Sequence, residues 1–406
     1  MLEDREAIGR RVKRARLHLG LAQADLAESL GKTQGWLSKV ERGRIEIDRV
    51  TVLSRLAAEL HVHVNDLLER PYAATPSENQ WRIAASAIMR EMRRFDLTPV
   101  FPGTPRTSQA QWADTVRLHR LRDAAANTAI LTALPDILRE ARALAEVATG
   151  HEREEGFAIY AVACKFAHTA AHSLGHAELI AMTAERARWA ADLSGDPVLP
   201  AVATWMRVWD MWATADWDDA LALSDRALAS VQDDCDRGAP LALRAWGSLQ
   251  LRAAISAARA DRRAEADSRI QMAQDAAARL STIVPSFDRH SLTFSEGNVA
   301  VHAISTHVEM HQQAKALAIH KETPKALIDD LPRSRQGHHH MDLARAHAWD
   351  GRRDKALKEL ETAEKLAPQL VRNHPIARAT LRGLIDRNRS MGERTRRMSD
   401  RFHLDH

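Results

Sequence analysis

Residues 33–43 read TQGWLSKVERG and place hydrogen-bonding side chains at helical spacing. The apolar residues of this stretch fall on one face of a predicted short helix, and Gln34, Ser38 and Lys39 fall on the other. Gly43 ends the pattern, as glycine often does at a helix C-terminus. A helix with one buried face and one exposed, donor-rich face is suited to hydrogen bonding with a polar ligand.

A second short helix is predicted directly before this stretch. Residues 23–30 read QADLAESL, and Gly31 and Lys32 join the two helices. Two short helices with a glycine turn between them are typical of the helix-turn-helix motif, whose second helix lies in the major groove of DNA. The pattern therefore predicts that residues 33–43 form a DNA recognition helix.

The composition of the whole chain indicates which class of protein contains this motif. The chain has 406 residues, of which 45% are apolar and 28% charged, which predicts two or three globular domains. Alanine and leucine are abundant and β-branched runs are scarce, so an all-α fold is expected. The net charge of +4 confines any nucleic-acid binding to a local patch. The two cysteines fit a reducing cytoplasm, and neither a signal peptide nor a membrane span is predicted.

Three further helices complete a predicted N-terminal domain over residues 1–70. Asp48 is a suitable N-cap for the fourth helix, residues 65–69 predict the fifth, and Pro71 ends the unit. The first helix has a basic face that is expected to point to solvent. This face consists of Arg10, Arg11, Lys13, Arg14 and Arg16.

This domain resembles the XRE family of DNA-binding domains, the five-helix type found in phage Cro and CI repressors. The matching residues are Gly9, Leu21, Gln23, Leu26, Ala27, Gly31, Trp36, Leu37, Ser38, Glu41, Gly43, Leu67 and Leu68. The resemblance implies binding to a double-stranded DNA operator.

The resemblance also implies which residues contact DNA. Gln23 would bond a backbone phosphate, while Gln34 could pair with adenine and Lys39 could donate to guanine. Gly35 departs from the family pattern, since a side chain able to contact a base often stands there. Glu41 is expected to be structural, tying the helix end to an arginine or to backbone. The predicted contact residues are Gln23, Thr33, Gln34, Gly35, Ser38, Lys39 and Arg42, with Arg10 and Arg14 as either phosphate contacts or an ordinary solvated face.

Residues 71–110 are predicted to form a linker in which two Pro-rich breaks flank one helix, over residues 81–95. The domain that follows, residues 111–390, is expected to consist of antiparallel helix pairs. A basic tail over residues 391–406 is expected to be frayed.

Internal repeats indicate the architecture of the helical domain. Residues 340–368 resemble a tetratricopeptide (TPR) unit closely, and residues 208–229 are similar. Turns are predicted at Gly175, Ala215, Asp261, His311 and Gly351, at spacings longer and less regular than in an ideal TPR array. Since one helix pair cannot bury its apolar face alone, we expect a TPR-like α-solenoid with a concave groove.

Candidate ligand-binding residues in this domain centre on tryptophans. Trp205, Trp209 and Trp212 have helical spacing, and they either pack against the next helix pair or line the groove. The residues that could add polar contacts there are Arg207, Arg244, Asn298 and His302.

Patterns for metal binding and catalysis are weaker. His307 and His311 stand at i and i+4, but no third ligand is evident, so an exposed helix face is expected. Residues 338–340 are three histidines that follow Gly337 in a predicted loop; they could form a weak metal site, but a solvated helix start is expected. Cys164 lies among apolar residues and is expected to be buried and unreactive. The sequence has no P-loop, dinucleotide-binding glycine pattern or nucleophile elbow, so we predict no active site, no metal and no cofactor.

An XRE-type domain followed by TPR-like helices resembles, in domain order, the peptide-pheromone receptors of quorum sensing in Gram-positive bacteria. This resemblance implies a cytoplasmic, dimeric transcription regulator that senses a peptide or a small molecule and has no enzymatic activity. A dimer is expected because one DNA-binding head makes too few contacts for useful specificity. The alternative is a TPR-like protein-interaction scaffold whose DNA binding is controlled by a partner protein.

Overall fold

The computed structural model describes residues 2–45, 47, 50–60, 62, 67, 76–283, 287–386, 392–402 and 404. Within these residues the chain forms 22 helices and no strand, which confirms the expected all-α fold. In chain order they are α1 (Leu2–His18), α2 (Gln23–Ser29), α3 (Gln34–Glu41), α4 (Val50–Glu59), α5 (Pro76–Arg93), α6 (Ser108–Asp123), α7 (Asn127–Val147), α8 (Gly150–Leu174), α9 (Ala177–Leu193), α10 (Leu199–Met211), α11 (Trp217–Ser230), α12 (Gln232–Asp236), α13 (Pro240–Arg259), α14 (Arg263–Ser281), α15 (Glu296–Glu309), α16 (Gln313–Glu322), α17 (Lys325–Asp329), α18 (Arg333–Trp349), α19 (Arg353–Leu366), α20 (Pro368–Asn373), α21 (Pro375–Asp386) and α22 (Glu393–Arg401). Among the described residues, no helix combines the length and apolarity that crossing a membrane requires.

The chain divides into two compact units. Unit 1 comprises Met1–Ala73, Met211–Trp217 and Gly337–His406, and unit 2 comprises Ala74–Asp210 and Asp218–Gln336. The domain boundaries expected at residues 70, 110 and 390 stay predictions.

The N-terminal helices of unit 1 share an apolar core. Leu26 of α2, Leu37 of α3 and Leu56 of α4 are almost completely buried in it, together with Val12 of α1. Leu67 is helical and buried as well. The residues expected to cap the fourth helix, to complete the fifth and to end the domain lie outside the described residues; they are Asp48, residues 65, 66, 68 and 69, and Pro71.

Left-handed residues close the predicted turns of the helical domain. The five residues that the sequence placed in turns have φ values between 58° and 75°; they are Gly175, Ala215, Asp261, His311 and Gly351. In the turn after α13, the Asp261 N–H donates to Ala258 O at 3.2 Å and the Arg262 N–H donates to Ala257 O at 2.8 Å. This pair of hydrogen bonds satisfies the last carbonyls of the helix, as in a Schellman motif. The predicted turns are confirmed.

Consecutive helices pack against each other in unit 2. The most extensive packing joins α7 to α8, α8 to α9, and α13 to α14, and α15 also packs on α16. Because short turns connect these helices, each pair is antiparallel. α8 is buried on nearly all of its faces, so it forms the centre of an extensive apolar core in unit 2.

The helix expected in the linker is part of this core. α5 packs on α7, and its residues Trp81, Ile88 and Met92 are buried there. This segment therefore contributes to the fold of unit 2.

The basic C-terminal tail is ordered where it is described, so the expectation of a frayed terminus is wrong. Met398 and Phe402 have no exposed surface. Arg401 Nη2 donates to Glu364 Oε2 at 2.6 Å, and Arg394 Nη2 donates to Glu361 Oε2 at the same distance. The apolar anchors and the two carboxylates on α19 hold α22 in place.

Candidate nucleic-acid interface and buried polar cluster

α3 has the geometry expected of a recognition helix. The Thr33 side chain caps it by accepting a hydrogen bond from the Trp36 N–H at 3.2 Å. Leu37 and Val40 are buried, and Gly43, with φ of 67°, follows the helix end. The capped start and apolar face are confirmed.

The polar face of α3 is open to solvent. Thr33, Gln34, Gly35 and Lys39 are exposed, so their polar groups could meet a macromolecule without any rearrangement of the core. Arg42 is also exposed, but its guanidinium donates to Ser38 Oγ at 2.9 Å and to Ser38 O at 3.0 Å. Arg42 and Ser38 therefore form one connected patch at the C-terminal end of the helix.

A buried ion pair fixes the end of α3. Glu41 Oε1 accepts a 2.6 Å hydrogen bond from Arg16 Nε, and Glu41 Oε2 accepts one of 3.1 Å from Arg16 Nη2. The hydrogen bond to Glu41 raises the pKa of Arg16 above its ordinary value. This confirms the structural role expected for Glu41. It also corrects the placement of Arg16 on the exposed face of α1, since Arg16 is only 6% exposed.

Gln23 belongs to the same network. Its Nε2 donates to Glu41 Oε2 at 2.7 Å, so Glu41 joins α1, the first residue of α2 and the last residue of α3. This hydrogen bond uses one of the two amide hydrogens of Gln23. The predicted phosphate contact of Gln23 stays a prediction.

Two glycines of the domain have opposite surroundings. A Cβ added at Gly9 would lie 2.4 Å from Val40 O and 2.7 Å from Glu41 O, so Gly9 lets α1 approach the backbone of α3. A Cβ at Gly35 would meet nothing closer than Thr33 Oγ1 at 4.0 Å. The packing of the domain requires glycine at Gly9, whereas it leaves room for a side chain at Gly35.

The basic face of α1 is mixed. Arg10 and Arg14, the predicted phosphate contacts, are exposed. Arg11 is half-buried, and its Nη1 donates to Leu67 O at 2.9 Å. Arg11 therefore has a structural contact within the domain, whereas the DNA contacts of Arg10 and Arg14 stay predictions.

Two of the predicted groove tryptophans surround a buried arginine in unit 2. The guanidinium carbon of Arg252 lies 3.7 Å from the ring centre of Trp205 and 4.5 Å from that of Trp209. Burial lowers the pKa of Arg252 well below its ordinary value, while the nearby Asp210 carboxylate acts in the opposite direction. Cation–π contacts of this kind offset part of the cost of burying a charge.

Two histidines and an aspartate extend this cluster. His172 stacks on Trp209, with ring centres 3.7 Å apart and planes inclined by 1°. His172 Nε2 lies 3.2 Å from Asp210 Oδ1, and His168 Nε2 lies 3.5 Å from the same oxygen. Burial lowers the pKa of His168 to about 3. We call Trp205, Trp209, Arg252, His168, His172 and Asp210 the buried polar cluster, after its two buried members, Arg252 and His168; the other four are half-buried.

The other predicted groove residues have different contacts. Arg207 Nε lies 3.9 Å from Glu185 Oε1, and Asn298 is buried with its Nδ2 donating to Thr293 O. His302 Nδ1 lies 2.8 Å from Asn298 O. Burial is the main cause that lowers the pKa of His302, and the nearby charge of Arg252 lowers it further. Trp212 directly follows Met211, the last residue of α10, so the helical spacing of the three tryptophans holds within one helix for Trp205 and Trp209. Arg244 acts electrostatically on the half-buried Asp288.

The histidine patterns noticed in the sequence do not form the expected arrangements. His307 is only 4% exposed, and His311 lies beyond the end of α15 with a φ of 58°, so the two do not share an exposed helix face. Residues 338–340 lie inside α18 rather than in a loop. The His338 ring lies against His374, with centroids 5.3 Å apart, whereas the His339 and His340 rings lie against each other.

Sequence reasoning did not single out His168, His172 and Asp210. The two histidines also stand at i and i+4, in HTAAH, which is a recognisable signal. The third member comes from another helix, 38 residues further along the chain from His172. Only the folded structure brings Asp210 on α10 close to the two histidines on α8.

Both cysteines are in environments that disfavour the reactive thiolate. Cys164 and Cys235 are both buried free thiols. Burial raises the pKa of each thiol above its ordinary value. The expectation that Cys164 is buried is confirmed.

Comparison with known proteins identifies the N-terminal region. Residues 7–69 match the family model described as "Helix-turn-helix domain", and this segment of the chain is a helix-turn-helix domain. No curated protein matches the chain.

One solved structure matches the chain over a large part of its length. It is that of Bacillus thuringiensis PlcR in complex with the peptide PapR7 and DNA, which is 14% identical and covers 68% of this chain and 96% of that chain. Its TM-score is 0.26, and at that value the likeness carries no conclusion about this chain.

Proposed function

We propose that this protein is a sequence-specific DNA-binding transcription regulator. The observation that carries the proposal is the exposed polar face of α3 on a helix held rigidly by the buried Arg16–Glu41 pair. A side chain discriminates between bases only when its helix keeps a fixed position in the groove. The capped start, the apolar inner face and the match to helix-turn-helix domains all support this role.

Gln34 and Lys39 are the proposed base contacts. Both are exposed, and both have donors that match base edges in the major groove. Arg10, Arg14, Gln23, Thr33, Ser38 and Arg42 are the proposed contacts that position the helix on the DNA backbone. Gly35 has room for a side chain but carries none, which supports close approach of the α3 backbone to DNA.

The test is a competition titration against an operator selected from random duplexes. Gln34→Ala and Lys39→Ala should each lose about 1–3 kcal/mol of preference for the operator over unrelated DNA, with weak, salt-sensitive binding retained. Lys13→Ala is the matched control, because it removes the same charge as Lys39→Ala from an exposed position on α1. Full operator preference in both variants would refute the base-contact assignment.

We further propose that the protein acts as a dimer and that unit 2 senses a peptide or a small molecule. Two DNA-binding heads supply the contacts that one head lacks. The buried polar cluster supports a sensing role, because charged groups placed inside a domain at a cost are typical of functional sites. Screening should find a compound that shifts operator affinity. A stoichiometric protein partner, in place of any such compound, would support the scaffold alternative.

A further inference from the structure

We propose that unit 2 contains a binding site for a divalent transition-metal ion between α8 and α10, with His168, His172 and Asp210 as its ligands. Two imidazole nitrogens and one carboxylate oxygen are a donor set that suits Zn²⁺ and its first-row neighbours. The site does not depend on the DNA-binding role proposed above.

The geometry of the three side chains is close to that of a metal centre. Their candidate ligand atoms all lie within 4.8 Å of one another. Two of the separations involve Asp210 Oδ1, at 3.5 Å from His168 Nε2 and 3.2 Å from His172 Nε2. Ligand bonds of about 2.0–2.1 Å in a tetrahedral site place neighbouring ligand atoms about 3.3 Å apart. An ion can therefore enter with only small side-chain movements.

The hydrogen bonds of His168 determine which ring nitrogen carries the proton. The Thr183 hydroxyl donates to Ile180 O at 2.8 Å, which leaves the hydroxyl oxygen as an acceptor. His168 Nδ1 lies 3.2 Å from Thr183 Oγ1 and 3.3 Å from Ile180 O. Both neighbours accept, so Nδ1 holds the hydrogen and Nε2 presents a lone pair. Metal-bound histidines commonly donate their second ring N–H to such an oxygen acceptor.

The lone pair of His168 is aimed at the proposed site. The side chain of His168 has no exposed surface, and its Nε2 makes no hydrogen bond with the described part of the chain. The atom faces Asp210 Oδ1, so the lone pair of a fully buried nitrogen lies opposite an electron-rich oxygen of a half-buried carboxylate. A cation bound between them removes this repulsion.

The surrounding residues orient the second histidine. The flat stack on Trp209 restricts rotation of the His172 ring, so its Nε2 stays directed toward Asp210. A neutral His172 with its single hydrogen on Nδ1 presents the Nε2 lone pair to the ion, so binding requires this tautomer and no net loss of a proton from the ring. The three side chains leave one position of a tetrahedral ion open to a further ligand.

The test uses the untagged, metal-depleted full chain and Co²⁺ as a spectroscopic probe, with Zn²⁺ as competitor. One equivalent of Co²⁺ should give visible absorption bands of low-symmetry coordination, and Zn²⁺ should remove them. Asp210→Asn should weaken Co²⁺ binding at least about tenfold. His307→Gln is the matched control, since it alters a buried histidine of the other i, i+4 pair and should leave binding unchanged.

Two results would overturn the proposal. One is the absence of bands at one equivalent of Co²⁺, and the other is equal binding by Asp210→Asn and the parent chain, which would place the ion elsewhere. Circular dichroism verifies that the variants keep the helical content of the parent. If Asp210→Asn does not fold, X-ray absorption of the Zn²⁺-loaded parent decides, because the site requires two imidazole ligands and no sulfur.

Discussion

The recognition helix and the buried polar cluster use polar residues in opposite ways. On α3 the polar groups proposed for function are exposed, and one buried carboxylate, Glu41, holds the helix that presents them. In unit 2 the polar groups are inside the helical stack, where Arg252 and His168 are 5% and 0% exposed. The difference indicates a division of labour. A surface that contacts DNA needs accessible donors, whereas a site for a small ligand or ion needs groups shielded from water.

Among the substitutions considered, Glu41→Ala should cause the largest loss of stability, because it removes the buried carboxylate that holds α3. The substitution leaves the Arg16 guanidinium buried without its partner, so α1 and α3 should lose about 3–5 kcal/mol of local stability. Hydrogen exchange of the α3 amide groups in the full chain measures the loss. Glu28→Ala, which removes an exposed glutamate from α2, is the control and should change stability by less than about 0.5 kcal/mol. Similar exchange in both variants would show that the buried pair does not hold the helix.

Gly9→Ala should have an intermediate effect. The new Cβ would meet the carbonyl oxygens of Val40 and Glu41, and backbone atoms cannot move aside as flexible side chains do. We expect a loss of about 1–3 kcal/mol, together with weaker operator binding as α3 shifts. The same hydrogen-exchange and titration measurements apply. If stability fell but operator affinity did not change, the expected link between the position of α3 and DNA binding would be wrong.

Gly35→Ala should have the smallest effect on stability, and of opposite sign. The position is open, so the methyl group should stabilise the helix by up to about 0.5–1 kcal/mol. If the backbone of α3 approaches DNA closely there, operator affinity falls while thermal stability rises. A variant that gains stability and keeps full affinity would refute close approach at Gly35.

Local features were predictable from the sequence, and the reason is physical. The turns at Ala215, Asp261 and His311 were found although none is a glycine, because each separates two apolar helical patterns. α3 was found in the same way, from its polar cap and its periodic apolar face. Signals of this kind span a few residues and do not depend on distant parts of the chain.

The features that were missed depend on contacts between distant residues. Arg16 looks like its exposed neighbours in sequence, and only the approach of α3 buries it beside Glu41. His168 and His172 form a candidate ligand site only together with Asp210, which lies on another helix. The sequence contains all of these residues, but local patterns do not show which helices contact each other in the folded protein.

The burial of Cys164 and Cys235 limits the chemistry that can reach this protein from solution. A thiol reacts with oxidants and electrophiles as the thiolate, and burial raises the pKa of both thiols, so little thiolate forms near neutral pH. In the folded state neither cysteine is an accessible target for covalent modification. A change of redox conditions therefore has no direct route into the folded molecule through Cys164 or Cys235.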